Sequence, residues 1–488
     1  MLISAGAGAV IGTCASSAFT RAPGPPTIYG TDGHLHKHVL PHCSKLLAPY
    51  HPTFWASNRH MQTTLGLLRG IFCHGTYRRQ HLISDDGGTL GLDWFNQCER
   101  ASFAHPSTPV LLVMHGINGG SHEGYCKWVC ATAEARGWRS VVLNYRGCNG
   151  LPLTSPRGYN ATVTPDIYVA VTSVKGHQER CVFVPAASPA PPLLAVGFSL
   201  GGVILAKYLA EADMGLHGAF PASPHTSSGF AAAAIVSSPI CLSKSNLALS
   251  LPWRLTFVYN LALAYKIQEY IRTHRTAISQ NTNLDVASVL QKWTVTDIEE
   301  LGTNRTFGYQ TRSSYYDDAN SLSYLPHIKT PTLVLTSQDD PFLGVLPDQE
   351  CVANPHTLLA VTEKGGHVAF LQGAWPLSTA WMDLTVVEFL EATLQHYPYA
   401  AVAAQDAAAE AAHTRPPSSR ASTHDTSRAD VTPDMQSLPT TLPPPDLHHT
   451  SPLGLMGLRY PSSSGGVFAA GGPNLDPLPR RLWLDSRL

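Results

Sequence analysis

Three short stretches of this chain hold side chains that could perform acyl transfer together. Gly197-Phe198-Ser199-Leu200-Gly201 is a GxSxG pattern, placed directly after the apolar run 193–196 and directly before a helical pattern at 200–212. A strand-to-helix turn this sharp strains its central residue, and only glycine two positions to either side avoids backbone clashes. The turn lifts Ser199 Oγ clear of the strand ends, above a helix N-terminus that favours negative charge. The bland alternative is a glycine-rich turn with a capping serine.

A serine nucleophile needs a base, and the base needs a carboxylate to orient it. Ser337-Gln338-Asp339-Asp340-Pro341 follows the apolar run 331–336, and Glu363-Lys364-Gly365-Gly366-His367 follows the run 357–361. Both segments leave the carboxyl ends of expected strands, in the order serine, acid, histidine. Asp340 is the preferred acid, because Pro341 behind it restricts the turn that aims it, and Asp339 stays open as the alternative. Among 23 histidines, His367 is singled out by its place in the last strand-to-helix loop. A further run, 110–114, ends in His115-Gly116-Ile117-Asn118-Gly119-Gly120, whose glycines let backbone approach the site. The backbone N–H groups of Ile117 and Leu200 are the candidate donors for a developing oxyanion.

The elements that position these loops read as alternating strands and helices from about residue 50 to 397. Apolar runs at 109–114, 140–143, 193–198, 231–236, 331–336 and 357–361 alternate with helical patterns at 123–136, 165–175, 200–212 and 374–396. Continuous apolar strands between helices predict a parallel sheet covered on both faces. Residues 79–84 and 89–95 flank Asp85-Asp86-Gly87-Gly88, so the sheet should open with an antiparallel hairpin. Residues 239–328 contain no strand–helix–strand unit and read as a helical cap, including a long helix over 251–273.

Composition narrows the function classes. Lys+Arg 33 against Asp+Glu 34 leaves a net charge of −1, with no basic excess to neutralise phosphates, so nucleic-acid binding is not expected. Ten cysteines without a CxxC pair argue against a disulfide scaffold or zinc ribbon and favour an intracellular location. His34, His36, His38 and His42 lack carboxylate or cysteine partners at ligand spacing, and read as a polar stretch rather than a metal site. Residues 1–45 are expected as a weakly apolar segment plus linker, 46–398 as the catalytic domain, and 399–488 as a disordered Ala/Pro/Ser-rich tail. Residues 2–19 fit an anchor, a targeting peptide or disorder. The sequons at Asn160 and Asn304 matter only in a secreted chain.

In motif set and order the chain resembles α/β-hydrolase family 4, which groups membrane-associated esterases and phospholipases, plant embryogenesis-associated relatives and medium-chain alcohol O-acyltransferases. The resemblance rests on Asn58-Arg-His-Met-Gln-Thr63, residues 86–94, His115 through Ser121 with Glu123 and Tyr125, Asn144-Tyr-Arg-Gly-Cys148 and residues 153–157. The GxSxG turn, Asp339-Asp-Pro341 and Gly365-Gly-His367 complete it. It implies an α/β-hydrolase fold, with Ser199, Asp340 and His367 as nucleophile, acid and base. It also implies a carboxylic ester substrate of lipid type, such as a monoacylglycerol or phospholipid, hydrolysed without metal or cofactor. Acyl transfer to an alcohol through the same acyl-serine, or a catalytically silent binding module, are the other readings. Association with membranes is expected.

Overall fold

The computed structural model describes residues 23–96, 108–181, 191–217, 228–281 and 283–405. The apolar segment at 2–19, residues 97–107, 182–190, 218–227 and 282, and the tail from residue 406 lie outside the described residues.

Among the described residues nine strands form one sheet: β1 Thr27–Tyr29, β2 Tyr77–Ile83, β3 Thr89–Phe95, β4 Val110–Met114, β5 Arg139–Asn144, β6 Leu193–Phe198, β7 Ala232–Val236, β8 Thr332–Ser337 and β9 Thr357–Thr362. Their order is β1-β9-β8-β7-β6-β4-β5-β3-β2. From β5 through β9 all neighbours are parallel, while the β2–β3 hairpin and β1 add antiparallel edges. Each of β4 to β9 is buried along its whole length. Helices on both faces impose that burial, which is why these strands read as unbroken apolar runs instead of alternating ones.

The main helices are α1 Arg59–Leu68, α2 Gly124–Ala135, α3 Pro165–Cys181, α4 Leu200–Asp213, α5 Leu242–Leu249, α6 Phe257–Thr273 and α7 Trp381–His396. Val129 of α2 and Phe389 of α7 pack in the core on one face of the sheet. Ile167 of α3 and Leu205 of α4 pack in the core on the other. Between β7 and β8 the chain is helical without a strand, as expected for the cap, and has its own small core around Ala264, Val289 and Ile298. Among the described residues no helix is long and apolar enough to cross a membrane.

Three expectations need correction. Residues 23–45 are not a linker: Thr27–Tyr29 pairs antiparallel with β9, and Leu35, Val39, Leu40 and Cys43 are buried in the core. The histidines there stay toward the surface, with His42 stacked on His396 at 3.6 Å. At the other end the domain passes residue 398, since Val402 is buried and Tyr399 Oη donates to Ala231 O at 3.0 Å. The cap's long helix starts at Phe257, six residues late, because the stretch around Pro252 forms turns; likewise α7 starts at Trp381, after turns around Pro376.

Candidate active site

The parallel register brings the loops together. Met114 of β4 lies beside Gly197 of β6, and Ser337 of β8 beside Thr362 of β9, so the four loops that follow these strands leave one edge of the sheet. Ser199 sits at φ 52°, ψ −123°, a left-handed backbone in a residue with a side chain. Strain of this kind costs about 1–3 kcal/mol and persists only where surroundings enforce it. Here they do. A Cβ on Gly197 would lie 2.6 Å from Gly201 O, and one on Gly201 would lie 2.5 Å from His115 O. The flanking glycines are therefore steric requirements of the turn.

Ser199 Oγ lies 2.9 Å from His367 Nε2, and His367 Nδ1 lies 2.9 Å from Asp340 Oδ2 and 3.0 Å from Oδ1. With an ionised Asp340 as acceptor, Nδ1–H donates and Nε2 is left to accept from the serine hydroxyl. Asp340 is itself aimed by the Phe342 N–H, which donates to its Oδ1 at 2.8 Å. The neighbouring Asp339 turns away and accepts from Gly366 N at 3.0 Å, and burial raises its pKa. Of the two aspartates left open by the sequence, only Asp340 reaches the imidazole.

The loop after β4 is held from both sides. Gly116 N donates to Tyr125 Oη at 3.0 Å, and Asn118 N donates to Tyr159 Oη. Between them, Ile117 N has no acceptor among the described residues. Ile117 and Leu200 line the same cavity as Ser199 and His367. A Cβ on Gly116 would stand 3.2 Å from Ser199 Cβ, so the loop's close approach depends on that glycine. Just before it, His115 is fully buried, and burial lowers its pKa to about 4. It stays neutral and bridges Gly116 O and Tyr145 N. Further along, Ser121 Oγ donates to Asp93 at 2.6 Å, and Arg79 pairs with the same carboxylate at 2.7 Å.

Several positioning residues escaped the sequence reading as chemistry. Thr63 Oγ1 accepts from His367 N at 3.0 Å, and Ser237 Oγ accepts from Val368 N at 3.1 Å, where Val368 has φ 51°. Gln62 Oε1 accepts from Leu371 N at 2.8 Å. The Asn58–Thr63 motif thus braces the histidine loop from α1. Its residue types were visible; its partners, some 300 residues away, were not.

Above the triad lies a cavity of about 330 Å³, walled by cap side chains that include Leu242, Leu249, Leu263 and Ile267. Lys266 and Glu299 interrupt this wall with ionisable groups. Glu299 Oε2 accepts from Tyr316 Oη at 2.5 Å and Asn246 Nδ2 at 3.1 Å, and burial raises its pKa to about 7. Among the described residues no group of three His, Cys, Asp or Glu side chains is placed to hold a metal ion.

Comparison with known proteins gives a consistent picture. The alpha/beta hydrolase fold family matches residues 109–374, over half of the 488 residues. Phospholipase ABHD3 of Bos taurus is 30% identical over 361 residues, which cover 73% of this chain and 81% of that protein. Embryogenesis-associated protein EMB8 of Picea glauca is 29% identical, covering 75% and 76%. Monoacylglycerol lipase ABHD2 of Homo sapiens is 26% identical, covering 76% and 86%.

Proposed function

The chain belongs to the α/β-hydrolase fold family, and from that premise we propose that it hydrolyses carboxylic esters of lipids through an acyl-enzyme on Ser199. The observation that carries the reading is the unbroken hydrogen-bond chain from Ser199 Oγ through His367 to Asp340, each link about 2.9 Å.

In this reading Ser199 Oγ attacks the ester carbonyl carbon while His367 Nε2 takes its proton. Asp340 holds the Nδ1–H tautomer and stabilises the imidazolium that forms. The carbonyl oxygen becomes an oxyanion and is received by the amides of Ile117 and Leu200, with the N-terminus of α4 adding favourable field. The imidazolium then protonates the departing alkoxide, leaving an acyl-serine. Water enters, gives a proton to His367 and attacks the acyl carbon, and collapse of the second oxyanion returns the proton to Ser199 and frees the acid.

The apolar cap wall supports a lipid-like substrate, and the names phospholipase and monoacylglycerol lipase carried by ABHD3 and ABHD2 support the same class. The test is product analysis on a panel of monoacylglycerols and phospholipids, with and without added ethanol. Free fatty acid from at least one of them, absent with Ser199→Ala, is the expected result. Ethyl ester as the main product would move the reading to acyl transfer, and no turnover across the panel would contradict it.

A further inference from the structure

In and beside α1 and α6, which both contribute residues to the lining of this cavity, many large apolar side chains are exposed. On one side Phe54, Trp55, Leu67, Leu68, Ile71 and Phe72 are exposed, with Phe54 79% and Ile71 67% accessible. Trp375 joins them, its ring 5.6 Å from that of Phe72. On the other side, Trp253 (78% accessible), Leu255, Val258, Leu261 and Tyr265 are exposed on the cap. Val258, Leu261 and Tyr265 fall at positions i, i+3 and i+7 of α6, one face of a helix. A soluble protein rarely leaves so many large apolar side chains together in water.

The two sets flank one opening. His60 Nδ1 and Tyr259 Oη lie 2.9 Å apart and tie α1 to α6. Leu67 of α1 and Lys266 of α6 are both exposed and both line the cavity. Within residues 54–72 and 253–265 the charged side chains are all cationic, with exposed Glu269 following one turn after Tyr265 on α6. Residues 54–77 and 241–268 contain no Asp or Glu, while Arg59, Lys244, Arg254 and Lys266 are exposed there. A chain with net charge −1 has therefore kept carboxylates away from both stretches.

We propose that this apolar, carboxylate-free rim at residues 54–72 and 253–265 docks the cavity mouth on an anionic lipid surface. The choice of partner rests on the lipid-ester reading above, and the rim chemistry selects it independently. Exposed tryptophan and aliphatic side chains suit the boundary between headgroups and acyl chains, and flanking Lys and Arg suit anionic headgroups. A second copy of the chain would oppose cations to cations across the rim. Docked this way, an ester-bearing lipid passes from the bilayer to Ser199 without its acyl chain crossing water.

The test is co-sedimentation of the full-length protein with vesicles of phosphatidylcholine alone, and with about 30% phosphatidylserine added. The wild type should prefer the anionic vesicles. Ile71→Glu combined with Trp253→Glu should weaken that binding about tenfold or more, because charged side chains are poorly tolerated below the headgroups. Hydrolysis of a short soluble ester and fluorophosphonate labelling should be unchanged, which separates a docking failure from a failure of the catalytic reading. Lys244→Gln with Arg254→Gln, a change less demanding on folding, should remove most of the anionic preference. Undiminished vesicle binding by both variants would overturn the proposal, whether residues 2–19 or another surface carries it. So would a rim variant that turns a dimer into a monomer while binding vesicles as before.

Discussion

Replacing Asp340 by asparagine should silence the enzyme for a reason that can be worked out atom by atom. Asp340 Oδ1 receives the Phe342 N–H at 2.8 Å, and the carboxylate receives His367 Nδ1 at 2.9–3.0 Å. An asparagine that gives its oxygen to Phe342 N puts its NH₂ at the Oδ2 position, 2.9 Å from Nδ1. Nδ1 then has to accept, and the ring proton moves to Nε2, which faces Ser199 Oγ as a donor where an acceptor is needed. Loss of kcat on the order of 10⁴ follows, about 5 kcal/mol of transition-state stabilisation. Asp339→Asn is the matched control. Its carboxamide oxygen can still accept from Gly366 N, and a carboxyl whose pKa burial already raises loses little by becoming neutral. Its kcat should stay within about threefold of wild type, since the hydrogen bond to the loop is kept. Steady-state hydrolysis of a short p-nitrophenyl ester measures both variants, with near-UV circular dichroism to verify folding. An inactive Asp339→Asn beside a near-normal Asp340→Asn would refute the tautomer argument and the assignment of the acid together.

Glu299→Gln should flatten part of the pH dependence of stability. The folded pKa of about 7 exceeds the ordinary 4.5, so stability present below pH 4.5 is lost as pH rises through 7. The variant should gain roughly 2–3 kcal/mol on wild type between pH 4.5 and 8 in denaturant titrations. Buried His115 works in the opposite direction between about pH 4 and 6.5, but is common to both proteins and cancels in the comparison. Gly201→Ala should destabilise by on the order of 3 kcal/mol or more and abolish labelling, since its methyl would press on the carbonyls of Met114 and His115; thermal unfolding reads this. Truncation after Gln405 should leave stability and hydrolysis intact. Truncation before Tyr399 should cost about 2 kcal/mol, from the lost Tyr399 hydrogen bond and the burial of Val402, measured in the same unfolding assay.

The elements that could be read from sequence are those whose signal is local. Strands β4 to β9 are buried along their full length and carry apolar runs because both their faces are covered, and within the GxSxG turn Gly197 is required by its contact with Gly201. The acid could be narrowed to two adjacent aspartates and no further, because the choice depends on which carboxylate the Phe342 and Gly366 amides capture. Strand β1 was illegible for another reason. Three residues, Thr27, Ile28 and Tyr29, in a Pro- and His-rich stretch have no periodicity, and pair with β9 more than 300 residues away. The braces from Thr63 to His367 N and from Tyr159 to Asn118 N are likewise side-chain bonds to backbone amides distant in sequence, and no spacing rule encodes them. The apolar rim was hidden in ordinary amphipathic helices, where sequence alone does not say which face meets water.

Every chemical step above depends on Ser199 as the activated nucleophile. Full-length protein should be incubated with a fluorophosphonate and digested, and the modified peptide located by mass spectrometry. A single adduct is expected, on the peptide carrying Gly197 to Gly201, at Ser199 itself, and no adduct in Ser199→Ala. An adduct on a different serine, or labelling that persists in Ser199→Ala, would contradict it.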